Sequence, residues 1–137
     1  MNRTDLIKTV IPLLWEVKPT LPKKEWRGSY GAKHSVEHAL NFYITNDEFI
    51  TACVDLGVPH EVGDPNYRFA LKDRFVTDWF QPSHRKAVKP YSERKDKWEA
   101  YQHTCAEIDR IVDSLIATDT STDSRFTKLA KVVGYHS

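Results

Sequence analysis

Residues 28–57, GSYGAKHSVEHALNFYITNDEFITACVDLG, decide the fold, because they read as two helices joined by a turn. Gly28, Ser29 and Tyr30 form a polar turn, after which Val36, Leu40 and Tyr43 recur at spacings of four and three. That spacing marks one face of a helix. Thr45-Asn46-Asp47-Glu48 then has the S/T-x-x-E form in which the threonine hydroxyl and the glutamate carboxylate each satisfy an orphan backbone N–H, so a second helix starts there. Its apolar positions Phe49, Ile50, Cys53, Val54 and Leu56 cover one side, and Gly57 sits where a left-handed residue closes a helix. An antiparallel helical hairpin is the expected product.

Working outward, the apolar run from Leu6 to Trp15, interrupted by Lys8, Thr9 and Pro12, predicts a first helix. Thr4 is the expected N-cap, and Pro12 should kink or divide the helix. The run is too short and polar for a membrane span, and no small-residue cleavage site follows it. Pro19 and Pro22 enforce an extended connection through Lys23, Lys24 and Trp26. Between Val58 and Lys72 the helical period is lost and Pro59, Gly63 and Pro65 appear, which predicts a loop and an extended segment at 67–71, with room for a short two-stranded ribbon. Asp73 is the expected cap of a helical turn carrying Phe75, Val76, Trp79 and Phe80, ended by Pro82; core packing and a partner-binding patch are the two readings of these aromatics.

The longest predicted helix runs from Ser92 to Ala117, with Trp98, Tyr101, Cys105, Ile108, Val112 and Leu115 alternating at spacings of three and four. This stripe serves an intramolecular seam and leaves a homodimer open. Asp119 to Ser124 is a polar linker before a last helix with Phe126, Leu129, Val132 and Val133, closed by Gly134. The expected fold is therefore mostly α, about five helices with a short ribbon near 58–72, in one domain over residues 1–137. Lys and Arg total 20 against 19 Asp and Glu, which excludes a strongly acidic nucleic-acid mimic and leaves recognition to local patches. Cys53 and Cys105 both fall on apolar helix faces and read as core thiols, which fits a reducing cytoplasm.

The central block carries Ser29, Tyr30, Gly31, Lys33, His34 and Glu37, then Tyr43, Ile44, Thr45, Asn46, Phe49, Ile50 and Ala52. In these residues it resembles a family of short phage- and prophage-encoded proteins with the pattern S-Y-G-x-K-H-x-x-E followed by Y-[IV]-[ST]-N-x-x-F-I-x-A. The match covers less than a quarter of the chain, and Asp47 stands where that family often has glycine. The resemblance implies a phage or mobile-element origin rather than a particular chemistry.

His34-Ser35-Val36-Glu37-His38 also fits H-x-x-E-H, the inverted zinc-peptidase signature, in which two histidines share a helix face and the glutamate polarises a water. Such a site needs a third ligand, for which Glu48, His60, Glu61 and Asp64 are the candidates. The plainer reading has His34 hydrogen-bonded within the hairpin to Glu37 or Tyr30. No G-x-S-x-G elbow, Walker loop, dinucleotide-binding glycine pattern or paired CxxC occurs, and the five glycines are dispersed. The expectation is therefore no catalytic residue, metal or cofactor.

The segment His84 to Lys97 gathers Arg85, Lys86, Lys89, Arg94, Lys95 and Lys97 beside Tyr91 and Trp98, a run suited to phosphates and base stacking or simply a solvated linker. The leading expectation is a non-enzymatic, phage-type accessory protein in the host cytoplasm that binds and inhibits a host or defence complex, in the manner of an anti-CRISPR or in another host-takeover role. Its contact residues would be Trp26, Tyr30, Lys33, His34, Arg85, Lys86, Lys89 and Tyr91. A nucleic-acid-binding module using residues 84–97 and a zinc-dependent hydrolase using His34, Glu37 and His38 are the alternatives.

Overall fold

The computed structural model describes residues 1–81 and 95–134. Among them are α1 (Arg3–Leu14), α2 (Ser29–Leu40), α3 (Asn46–Asp55), α4 (Lys95–Ile116) and α5 (Arg125–Val133), so the mostly helical expectation holds. Five short strands join them: β1 (Trp15–Val17), β2 (Arg27–Gly28), β3 (His60–Glu61), β4 (Arg68–Phe69) and β5 (Leu71–Asp73). Among the described residues, no helix is long and apolar enough to cross a membrane.

α1 starts two residues earlier than its threonine predicts. Asn2 is the N-cap, accepting from Asp5 N at 2.8 Å, while the Asp5 carboxylate accepts from Asn2 N at 3.4 Å. Thr4 loses to Asn2 because the residue three beyond it is Ile7, which cannot return a bond. Pro12 neither divides the helix nor ends it. It lies in the last turn, and the carbonyls around it are taken by Arg74, whose Nε donates to Pro12 O at 2.9 Å and whose N donates to Leu14 O at 3.0 Å. Leu6, Ile7, Val10, Ile11 and Leu14 are fully buried.

The helical hairpin forms as expected, with two shifts. Asn41 adopts a left-handed conformation (φ 51°), which stops α2 at Leu40, so Phe42 turns inward and Tyr43 points out at 59% exposure. Tyr43 is therefore not on the buried face of α2. In α3 the capping box closes, with Glu48 N donating to Thr45 Oγ1 and Thr45 N to Glu48 Oε1, both at 3.0 Å. Its end is a Schellman motif: Gly57 (φ 76°) donates to Val54 O at 2.9 Å and Val58 to Cys53 O at 3.1 Å. Phe49, Ala52 and Cys53 are the buried face, whereas Val54 and Leu56, expected on that side, are exposed.

The ribbon near 58–72 is present but belongs to a larger arrangement. β3 pairs with β4, β4 also pairs with β2 to give the antiparallel order β2-β4-β3, and β5 leaves that sheet to pair with β1 in the register Trp15↔Asp73, Glu16↔Lys72, Val17↔Leu71. Asp73 thus ends a strand and accepts the Trp15 indole N–H at 2.7 Å instead of capping a helix. The helical turn that follows, a 3₁₀ turn at Thr77–Phe80, has no side-chain cap. Phe75, Trp79 and Phe80 are core residues around Tyr101, whose hydroxyl donates to Trp79 O at 3.1 Å.

α4 lays its stripe on this core: Tyr101, Ile108 and Val112 are buried, with Trp98, Cys105 and Leu115 packed against them. α5 begins at Ser124, whose hydroxyl accepts from Thr127 N at 3.2 Å, and Arg125 ties it to Asp109 and Asp113 of α4. Leu129, Ala130 and Val133 form its buried face, while Phe126 and Val132 of the predicted stripe stay partly exposed. The Phe126 ring meets Phe42 at 5.7 Å.

Candidate functional site

Ser29 anchors the start of α2. Its N donates to Tyr67 O at 2.8 Å and its Oγ accepts from Tyr67 N at 3.1 Å, so the first turn is fixed to the chain entering β4. The next residue, Tyr30, is 56% exposed. One turn on, the His34 ring meets it edge-on at 4.6 Å.

Lys33 organises the surface around it. Although it is only 5% exposed, its ammonium donates to Glu37 Oε1 at 2.8 Å and lies 5.2 Å from the Tyr30 ring and 5.4 Å from the Tyr43 ring. An ammonium over a tyrosine face is attracted by the ring quadrupole, more strongly where water is excluded. Lys33 was expected as a contact residue, but it has almost no surface to offer and instead holds the two tyrosines.

Glu37 is the hub beneath. Besides Lys33, it accepts from Ile44 N at 3.2 Å, and its Oε2 lies 3.0 Å from His34 Nδ1. The bond to Ile44 fixes the segment after the left-handed Asn41, which sets the position of Tyr43. Arg3 secures the same segment from the other side. It donates to Tyr43 O at 2.7 Å, makes a two-pronged pair with Glu48 at 2.7 and 3.0 Å, and stacks 4.3 Å over Phe42. Nothing in the sequence around Arg3 announces this role, because its partners lie 40 or more positions away.

Among the described residues, the side chains proposed for a zinc site are not brought together. His34 and His38 stack at 6.2 Å on one side of α2, yet the Glu37 carboxylate is committed to three partners. Of the candidate third ligands, Glu48 is held by Arg3, His60 Nδ1 contacts Val58 O at 3.0 Å, and Glu61 pairs with Lys23 and Arg68, while Asp64 lies in the loop between β3 and β4. Among the described residues, no group of three or more His, Cys, Asp or Glu side chains is placed to hold a metal. Burial pushes the Cys53 thiol far above its ordinary range, which removes it as a nucleophile.

Trp26 stands apart from the α2 cluster. It is half-buried beside the 3₁₀ turn Lys23–Glu25, donating Nε1 to Leu21 O at 2.8 Å, with the Lys23 ammonium over its ring. Arg85, Lys86, Lys89 and Tyr91 lie outside the described residues. The structure thus brings Tyr30, Lys33 and His34 together and adds Tyr43. No family model, curated protein or solved structure matches the chain.

Proposed function

We propose that the protein is a non-enzymatic binding protein that inhibits a host or defence complex by occlusion, with Tyr30, His34 and Tyr43 as its contact surface. The observation that carries this reading is the pair of tyrosines, each more than half exposed and each with its ring 5.2 or 5.4 Å from the ion-paired Lys33 ammonium. Exposed aromatics normally lose rotamer freedom on binding, and fixing them beforehand removes that cost. Tyrosines of this kind are the residue type in which binding energy concentrates. The choice of a host complex as partner rests on the resemblance of residues 29–52 to phage proteins, and the host cytoplasm follows from that choice.

The test is affinity purification of the tagged protein from a bacterial host, side by side with a Tyr30→Ala/Tyr43→Ala variant. The expected result is a host complex recovered in near-stoichiometric amount by the wild type and lost by the variant. Each hot-spot tyrosine is worth about 2 kcal/mol or more, roughly 30-fold in affinity. Equal recovery by the folded variant refutes the assigned surface. Recovery of nucleic acid with steeply salt-dependent binding moves the function to residues 84–97.

A further inference from the structure

A cleft of about 360 Å³ lies on another part of the molecule, lined by Leu21, Glu25 and Arg27 on one side and Leu71, Lys72 and Asp73 on the other. Its volume is that of a small-ligand pocket. Arg27 is its unexplained member. The Nε atom is buried and makes no hydrogen bond, and its ion pair with Asp73 Oδ1 is a long one, at 3.7 Å, to an oxygen that already accepts the Trp15 indole. Buried polar atoms almost always have a hydrogen-bond partner. A guanidinium at the wall of a cleft, with its Nε lacking a hydrogen bond and only a long ion pair to Asp73, is suited to take a planar oxyanion in a fork.

The remaining lining selects among oxyanions. Arg27 and Lys72 face the lining carboxylates Glu25 and Asp73, so the cleft carries both signs of charge, which suits a ligand with both poles better than a multiply charged phosphate. Leu21 and Leu71 add apolar lining. The geometry points to a small zwitterion of the α-amino acid class as the occupant, its carboxylate on Arg27 and its ammonium toward Asp73 and Glu25.

Both walls carry a spectroscopic reporter. The Trp15 indole N–H bonds Asp73 on one wall, and the Trp26 indole N–H bonds Leu21 O on the other, whereas Trp79 and Trp98 pack together around Tyr101. The experiment is a titration followed through the four indole N–H signals in ¹H–¹⁵N spectra, using each proteinogenic amino acid, with 4-methylpentanoate, isoamylamine and inorganic phosphate as single-pole controls. The expected result is that at least one amino acid moves the Trp15 and Trp26 signals saturably and leaves Trp79 and Trp98 in place. The controls should bind at least tenfold more weakly, Arg27→Gln should abolish the response, and Arg27→Lys should weaken it. Unchanged Trp79 and Trp98 signals in both variants certify that they fold. The proposal is overturned if no amino acid saturates the response, if phosphate or 4-methylpentanoate does so equally well, or if Arg27→Gln binds undiminished.

Discussion

Replacing either member of the Lys33–Glu37 pair by methionine tests whether Glu37 is the hub of the α2 surface, because the two substitutions strand different groups. Lys33→Met removes one donor from a carboxylate that keeps Ile44 N at 3.2 Å and His34 at 3.0 Å, and methionine replaces most of the apolar stem. The cost is that of one charge-assisted hydrogen bond, about 2 kcal/mol. Glu37→Met leaves the Lys33 ammonium, on a side chain only 6% exposed, with two ring faces and no counter-charge, and also deprives the Ile44 N–H of its acceptor. Breaking a buried pair in this way costs about 3–5 kcal/mol. The double variant removes both charges and retains the Ile44 penalty, about 1–2 kcal/mol, since the His34 ring that also loses Glu37 is 37% exposed and reaches water. It is therefore expected to be more stable than Glu37→Met alone. Urea unfolding followed by far-ultraviolet circular dichroism measures all three, since at about 2 kcal/mol per M a 3–5 kcal/mol loss lowers the midpoint by roughly 1.5–2.5 M. Additive costs, or a Lys33→Met variant as unstable as Glu37→Met, would refute the hub.

The two thiols should separate by reactivity: Cys105, half-buried, is expected to react with a disulfide reagent in the native protein, and Cys53, buried with its thiolate disfavoured, only after unfolding. Two equivalents of rapid native labelling would contradict the burial of Cys53. The carboxyls of Asp119 and Asp123 are held below their ordinary range, the first chiefly by the Ser121 hydroxyl and the second chiefly by the Lys131 ammonium. A lowered folded-state pKa stabilises above the ordinary carboxylate value of about 4 and loses that contribution as the pH falls through the folded value. The melting-temperature gap between wild type and Asp123→Asn is therefore expected to be widest near neutral pH and to close toward pH 2; a gap that stays constant removes the Lys131 pair as its source.

The helical hairpin was legible because its signals are local. Thr45 and Glu48 lie three residues apart, Gly57 closes a Schellman motif within six, and both find their partners inside one turn of chain. The strands were hidden for the opposite reason. β1 and β5 are three residues each and pair across more than 50 positions, too short to show alternation and too distant to announce register, so Asp73 reads as a helix cap when it is a strand end. One left-handed residue, Asn41, accounts for the exchange of Phe42 and Tyr43, since ending α2 there rotates everything after it relative to the helical period. Of the expected site, the local triplet Tyr30, Lys33 and His34 does assemble, but burial reassigns Lys33 from contact to support. Arg3 could not be found from the sequence, because its importance lies wholly in the distant groups it joins.

The block at 29–52 divides by what folding requires of it. Ser29, Lys33, Glu37, Ile44, Thr45, Phe49 and Ala52 each close a hydrogen bond, an ion pair or a piece of core, and packing and polar satisfaction account for all of them. Tyr30 and Tyr43 stand outside the buried core. Their rings are turned to solvent, and a polar side chain in either place would leave the core intact and lower the exposed aromatic surface. The fold nonetheless commits a nearly buried lysine to holding both rings, and that lysine requires Glu37, whose further bond to Ile44 sets where Tyr43 emerges. Burying a cation is costly in itself. The expense is intelligible if the product is the tyrosine surface, and loss of a partner from the Tyr30→Ala/Tyr43→Ala variant at unchanged stability is the result that separates this account from one of folding alone.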